Sequence, residues 1–100
     1  MTTTVPSING ILIRLPDERW QHIIQRHIEL TDQKVLLLQT ISTPTRILAG
    51  NDGACMAIQE TQPGKYLVVI YKEEQADGFV ITAFLTRKIN ALNRRQQLWP

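Results

Sequence analysis

The chain contains a single cysteine, Cys55, and this scarcity excludes two classes of small protein. One cysteine cannot form an intrachain disulfide, so the chain is not a disulfide-stapled scaffold. One cysteine and two histidines also match no zinc-ligand spacing, which excludes a zinc finger, and we predict no metal and no cofactor. An unpaired thiol is typical of a reducing compartment, so we expect a cytoplasmic protein.

Long apolar runs and common catalytic motifs are missing as well. The sequence has no run of about 18 apolar residues, so we expect no membrane partner. Its N-terminal residues lack the charged and apolar regions of a signal peptide. A Gly-rich phosphate loop, a Ser-His-Asp order and a carboxylate pair are all absent. These absences leave a small globular protein without a standard hydrolase or nucleotide-binding signature.

The composition predicts one domain over residues 1–100 with an uneven charge. The chain is 43% hydrophobic and 20% charged, which suits a folded globular protein. Residues 1–85 carry seven basic and nine acidic side chains, whereas residues 86–100 carry four basic ones and no acid. This basic C-terminal segment holds Arg87, Lys88, Arg94 and Arg95. Such a segment favours an anionic partner, most often nucleic acid, although four charges can equally form a solvated face.

Hydrophobic patterning predicts an α+β fold with its helices first. Residues 1–8 are polar and broken by proline, so we expect a loose leader, followed by a short strand near 11–15. A first helix from Asp17 to Arg26 or His27 follows Pro16, and a second begins after a Thr31 cap and stops before Pro44. Four later apolar stretches are predicted strands: 45–49, 54–60, 66–71 and 79–85. Asp77-Gly78 predicts the last hairpin turn. The predicted fold class is thus two N-terminal helices packed on an antiparallel four-stranded meander sheet.

The first predicted helix holds the best candidate for chemistry, because it contains both histidines of the chain. His22 and Arg26 are four residues apart and therefore neighbours on one side of a helix. His27 falls roughly 140° around the axis from His22, nearer the apolar stripe. The two histidines can therefore share a site only if the helix ends before His27 or its last turn unwinds.

This helix, with its Trp-x-His-Ile-x-x-Arg-His core, precedes Leu-Val-Val-Ile-Tyr, Asp-Gly-Phe and Val-Ile-Thr-Ala-Phe-Leu-Thr-x-Lys. Over roughly residues 15 to 90 this layout resembles the barnase–EndoU–colicin–RelE-like nucleases, especially their phage-type and BrnT-like branches. The resemblance implies a RelE/barnase-like fold and metal-independent RNA cleavage, often by the toxin of a toxin–antitoxin pair. It would make RNA and an antitoxin protein the partners. The positions that match are His22, Arg26, His27, Thr82 and Lys88, with Arg87 as a weaker neighbour.

The residue types also suit this chemistry. Metal-independent cleavage needs a base for the ribose 2′-hydroxyl, an acid for the leaving 5′-oxygen and a cation for the phosphate. Histidine titrates near neutral pH and suits the first two roles, and the planar guanidinium of arginine suits the third. We therefore predict a ribonuclease with His22, His27, Arg26 and Thr82 as catalytic residues. The basic C-terminal segment would bind the nucleic acid.

Structural interpretations of the same residues stay open. His27 can cap the helix C-terminus, His22 can pair with Glu18, and Thr82 is a common strand residue. The rival function is a non-catalytic protein-interaction domain of the same fold. A homodimer through a sheet edge or a helix is also left open, because no residue specifies one.

Overall fold

A computed structural model describes all 100 residues as three helices and seven strands. The helices are α1 (Asp17–Arg26), α2 (Lys34–Ser42) and α3 (Ile89–Leu92). The strands are β1 (Thr2–Pro6), β2 (Leu12–Pro16), β3 (Arg46–Ala49), β4 (Cys55–Gln62), β5 (Lys65–Glu74), β6 (Asp77–Thr86) and β7 (Gln97–Trp99). Short 3-10 turns lie at Ile28–Leu30 and Asn51–Gly53. None of the helices has both the length and the apolar character needed to cross a bilayer.

All seven strands form one mixed sheet in the order β1-β2-β6-β5-β4-β3-β7. Every neighbouring pair is antiparallel except β2 and β6, which are parallel. The predicted fold class, two N-terminal helices on a RelE/barnase-like four-stranded meander, is therefore wrong. Strands β3 to β6 do follow one another as antiparallel neighbours, but β1 and β2 extend the sheet beside β6, and β7 extends it beside β3.

The central strand β5 is apolar on both sides because side chains pack against it on both sides of the sheet. Leu67, Val69 and Tyr71 have no exposed surface and belong to the core cluster shared with α1 and α2. We call this side of the sheet the helix face. Val68 belongs to a smaller cluster on the opposite side, which we call the open face. There α3 covers only part of the sheet, through Ile89 and other apolar side chains.

The N-terminal residues, predicted to be a loose leader, form strand β1 instead. β1 pairs along its whole length with β2, and its Val5 packs against the helix-face core. The β1–β2 hairpin joins the rest of the sheet through only two paired positions of β2 and β6. An ion pair reinforces this junction, because the Arg14 guanidinium lies 2.9 Å from the Asp77 carboxylate. The hydrogen bond from Arg14 holds the pKa of Asp77 below its ordinary value.

Gly78 lies in strand β6 and is not the turn residue that the Asp77-Gly78 pattern predicts. The turn begins at Gln75, which has a φ of 55°. A Cβ atom at Gly78 would lie 2.9 Å from the Lys72 carbonyl oxygen and would overlap the Ile13 side chain. The glycine is therefore required by the close approach of β2 and β5 to β6.

Tyr71 is fully buried on the helix face, and its hydroxyl has no hydrogen-bond partner. Burial raises the pKa of Tyr71 above its ordinary value, and the nearby Cys55 and Glu73 raise it further. Cys55, the cross-strand neighbour of Tyr71, has a raised thiol pKa for the same main reason, burial. The Cys55–Tyr71 pair is therefore held in its neutral, protonated form.

The buried phenol predicts a loss of stability at alkaline pH. Above pH 10, the ordinary pKa of tyrosine, the unfolded chain loses the Tyr71 proton while the folded chain keeps it. The stabilisation by the buried Tyr71 phenol is thus fully present below pH 10. Above pH 10 this group lowers the free energy of unfolding by about 1.4 kcal/mol per pH unit. Tyr71→Phe should remove this contribution, measured by urea denaturation between pH 8 and 11.5. Tyr66→Phe is the control that keeps it; an unchanged alkaline slope in Tyr71→Phe would contradict the assignment.

Candidate functional site

Helix α1 lies beside a strand edge that the sheet leaves unpaired. β2 pairs with β6 only at Gly78 and Phe79, so the later residues of β6 have no neighbouring strand on that side. The Arg19 guanidinium donates a hydrogen bond of 3.3 Å to the Ile81 carbonyl oxygen. Further along, the His27 ring lies against the Phe84 ring, with 6.4 Å between their centroids. Helix α1 and the second half of β6 therefore run side by side in the same direction.

Three basic side chains follow one side of α1. Arg19, His22 and Arg26 are spaced at i, i+3 and i+7, which places them on one stripe of the helix, and all three are exposed. Arg87 and Lys88 come directly after β6, near the end of α1, and are exposed too. These five residues together with His27 are called the basic edge.

His22 lines an open recess of about 460 Å³ with Pro16, Glu18 and Arg19. The alternative interpretation joined His22 to Glu18, but no ion pair connects the two side chains. The ring is exposed and is therefore accessible to a ligand in the recess.

His27 is the residue at which α1 ends. Its backbone N–H donates to the Ile23 carbonyl oxygen at 2.8 Å, and its φ of −131° takes the chain out of the helix. α1 therefore ends at Arg26, before His27, which was the condition set by the spacing for the two histidines to share a site. The ring does not cap the helix carbonyls; it lies against Phe84, with Nδ1 3.8 Å from the Glu29 carboxylate.

Thr82 lies on β6 opposite Ile70, and Phe84 lies opposite Val68. Both β6 side chains therefore point to the open face, because residues two apart share a face of a strand. Phe84 lies against His27, and Thr82 comes two residues earlier on the same face of β6.

The predicted nucleic-acid-binding residues separate into two groups. Arg87 and Lys88 lie on the basic edge, whereas Arg94 and Arg95 lie between α3 and β7, on the far side of the sheet from α1. The Arg95 guanidinium donates to the Ala49 carbonyl oxygen at 3.1 Å and to the Asn51 side chain at 3.2 Å. Arg95 therefore fixes the turn between β3 and β4, away from the histidines.

Arg19 is the site residue that sequence reasoning missed. Its spacing from His22 and Arg26 is a readable signal, but only the contact with Ile81 shows that this stripe of α1 faces β6. The completed arrangement offers two imidazoles, four permanent cations and a threonine hydroxyl along one border. Such a set can bind a phosphate and move protons beside it.

No family model, curated protein or solved structure matches the chain. The resemblance to the barnase–EndoU–colicin–RelE-like nucleases therefore stays a prediction from short motifs, and the sheet that it implies is not the sheet observed.

Proposed function

We propose that this protein binds RNA along the basic edge and cleaves it without a metal ion. The observation that supports the proposal is that α1 lies along the unpaired edge of β6, where Arg19 contacts Ile81 and His27 lies against Phe84. His22 and Arg26 share the stripe of the helix that holds Arg19. The free Cys55 thiol suits a reducing compartment such as the cytoplasm, where RNA is abundant.

The proposed reaction is an internal transesterification. The ribose 2′-oxygen forms a bond to the phosphorus, and the bond from phosphorus to the 5′-oxygen breaks. One histidine accepts the 2′-hydroxyl proton and the other donates a proton to the departing 5′-oxygen. The products are a 2′,3′-cyclic phosphate and a free 5′-hydroxyl, so atoms and protons balance.

Surroundings distinguish the roles of the two histidines. The Glu29 carboxylate lies 3.8 Å from His27 Nδ1 and can orient the ring, so we assign His27 as the acid. His22 forms no ion pair with Glu18, the carboxylate that lines the same recess, and we assign it as the base. The two positions are about 7.5 Å apart along the helix axis and roughly 140° apart around it, so the RNA would have to pass around the end of α1 to contact both rings.

The remaining residues hold the phosphate. Arg26 shares the His22 side of the helix, and Arg19 is fixed by Ile81 while keeping N–H groups free for phosphate oxygens. Thr82, beside Phe84, can orient a phosphate oxygen through its hydroxyl. Arg87 and Lys88 extend the positive charge to neighbouring phosphates and should make binding salt-dependent.

The proposal is tested by incubating the purified protein with a labelled single-stranded RNA oligonucleotide in the presence of EDTA. We expect cleavage fragments that end in a 2′,3′-cyclic phosphate, and a rate that falls as salt rises from about 50 to 200 mM. An oligonucleotide of the same sequence made of DNA should stay intact, because it lacks the attacking hydroxyl. Intact RNA under all these conditions would refute catalysis and favour the non-catalytic alternative.

A further inference from the structure

A second cavity, of about 310 Å³, lies on the open face where β5 and β6 lose their regular pairing. Thr82 pairs with Ile70 and Val80 pairs with Tyr71, so Ile81 between them has no partner and forms a β-bulge. We call this cavity the bulge pocket; its lining includes Asp52, Met56, Ile70, Lys72, Ile81 and Arg95.

The bulge residue connects this pocket to the basic edge. The Ile81 side chain lines the pocket, while the Ile81 carbonyl oxygen accepts the hydrogen bond from Arg19. If one phosphate of an RNA strand lies at Arg19 and His22, the bulge pocket lies on the other side of β6. A neighbouring nucleotide of the same strand would then be within reach of the pocket.

The chemistry of the lining matches one nucleotide. Met56, Ile70 and Ile81 provide an apolar surface for a planar ring. Lys72, whose Nζ lies 3.6 Å from the Glu74 carboxylate, and Arg95 provide positive charge for a phosphate, and Asp52 is the only acid in the lining. Arg95 is already oriented by the Ala49 carbonyl and the Asn51 side chain, and its other N–H groups stay free. The volume of about 310 Å³ is at the lower end of ligand pockets, which suits a single base.

We propose that the bulge pocket binds one nucleotide of the single-stranded RNA that is cleaved at the basic edge. The base would lie on Met56, Ile70 and Ile81, and the phosphate would contact Lys72 and Arg95. This inference rests on the proposed function for its ligand. It adds that the RNA must be unpaired at this position, because a base in a duplex cannot enter the pocket.

The test uses adenosine and uridine 5′-monophosphates and follows binding by NMR of the Ile and Met methyl groups. We expect the methyl signals of Ile70, Ile81 and Met56 to shift on titration. Lys72→Gln should weaken binding about tenfold, the effect of losing one charge-assisted hydrogen bond. Lys65→Gln is the matched control, because Lys65 is half-buried on the same strand and lies outside the pocket.

A short single-stranded RNA oligonucleotide with 2′-O-methyl riboses, which cannot be cleaved because the attacking hydroxyl is blocked, distinguishes a nucleotide within a chain from a free one. If RNA is not cleaved but nucleotides bind with the Lys72 dependence, the pocket assignment holds and the catalytic proposal fails. Free monophosphates binding while the oligonucleotide does not shift these methyl groups would overturn the assignment to RNA. No shift up to about 10 mM ligand, or equal weakening by Lys65→Gln, would overturn the pocket itself.

Discussion

Replacing His27 with alanine is expected to slow RNA cleavage about 10²- to 10⁴-fold, the range typical of removing a general acid or base. The reason is that no other titratable ring lies beside Phe84 to protonate the leaving oxygen. His22→Ala should cause a loss in the same range, and the double variant should lose little more, because the two groups act in one step. The measurement is the single-turnover rate with the RNA oligonucleotide at saturating protein.

The controls separate chemistry from folding and binding. Gln21→Ala changes an exposed α1 residue roughly 160° around the helix from Arg19 and should cleave at the wild-type rate. His27→Gln retains a polar side chain against Phe84 without the ability to transfer a proton, and it should be as slow as His27→Ala. Unfolding of each variant by urea shows whether the fold is kept. Wild-type rates in a folded His27→Gln variant would remove His27 from the mechanism.

Leu37→Ala is expected to lower the free energy of unfolding by about 2 to 5 kcal/mol. Leu37 lies in the middle of α2 with no exposed surface, in the core cluster of the helix face. Truncation removes its contacts with that cluster and leaves a cavity that the surrounding strands cannot fill. For a protein of this size each kcal/mol corresponds to about 4 to 8 °C in Tm, so thermal unfolding detects the loss readily.

Val35→Ala supplies the matched control on the same helix. Val35 is 69% exposed, so its truncation should change the free energy of unfolding by no more than about 0.5 kcal/mol. The comparison is made by urea denaturation with the slope of the transition monitored in all three proteins. Similar losses in the two variants would mean that α2 presents a different side to the sheet.

Local signals in the sequence predicted some elements well. The proline and two acids at the start of α1 marked its beginning, and α1 has the predicted bounds of Asp17 and Arg26. The apolar stretches from 45 to 85 correspond to β3, β4, β5 and β6. Each of these features depends on neighbours within a few residues, which is why periodicity and turn chemistry are sufficient to find them.

Other features depend on distant parts of the chain and were mispredicted. Thr31 was expected to cap α2, yet its hydroxyl donates to the Ile28 carbonyl oxygen and the helix begins at Lys34. Pro6 suggested a loose leader, but proline is tolerated in β1 because β1 is an edge strand. Gly78 was assigned to a turn because its sequence neighbours do not show that β2 crosses close to it.

The candidate site likewise combines local features, which the sequence predicted, with long-range ones, which it did not. The spacing of His22 and Arg26 on a helix is local and could be read directly, and so could the condition that α1 must end before His27. The strand that lies beside this helix could not be predicted. Nothing in the sequence indicates that the pairing of β2 with β6 stops at Phe79 and leaves the rest of the β6 edge to α1. Arg19 was missed for that reason.

The parallel pairing of β2 with β6 has a consequence for how the chain folds. Arg14 and Asp77, which meet at this junction, are 63 residues apart in sequence. At synthesis rates of about 5 to 20 residues per second, the β1–β2 hairpin would wait roughly 3 to 13 s for its partner strand to be made. During that interval α1 and α2 have no complete sheet to cover their apolar sides. Docking of the hairpin should therefore be a late step in folding, since long-range pairing requires the closure of a large loop.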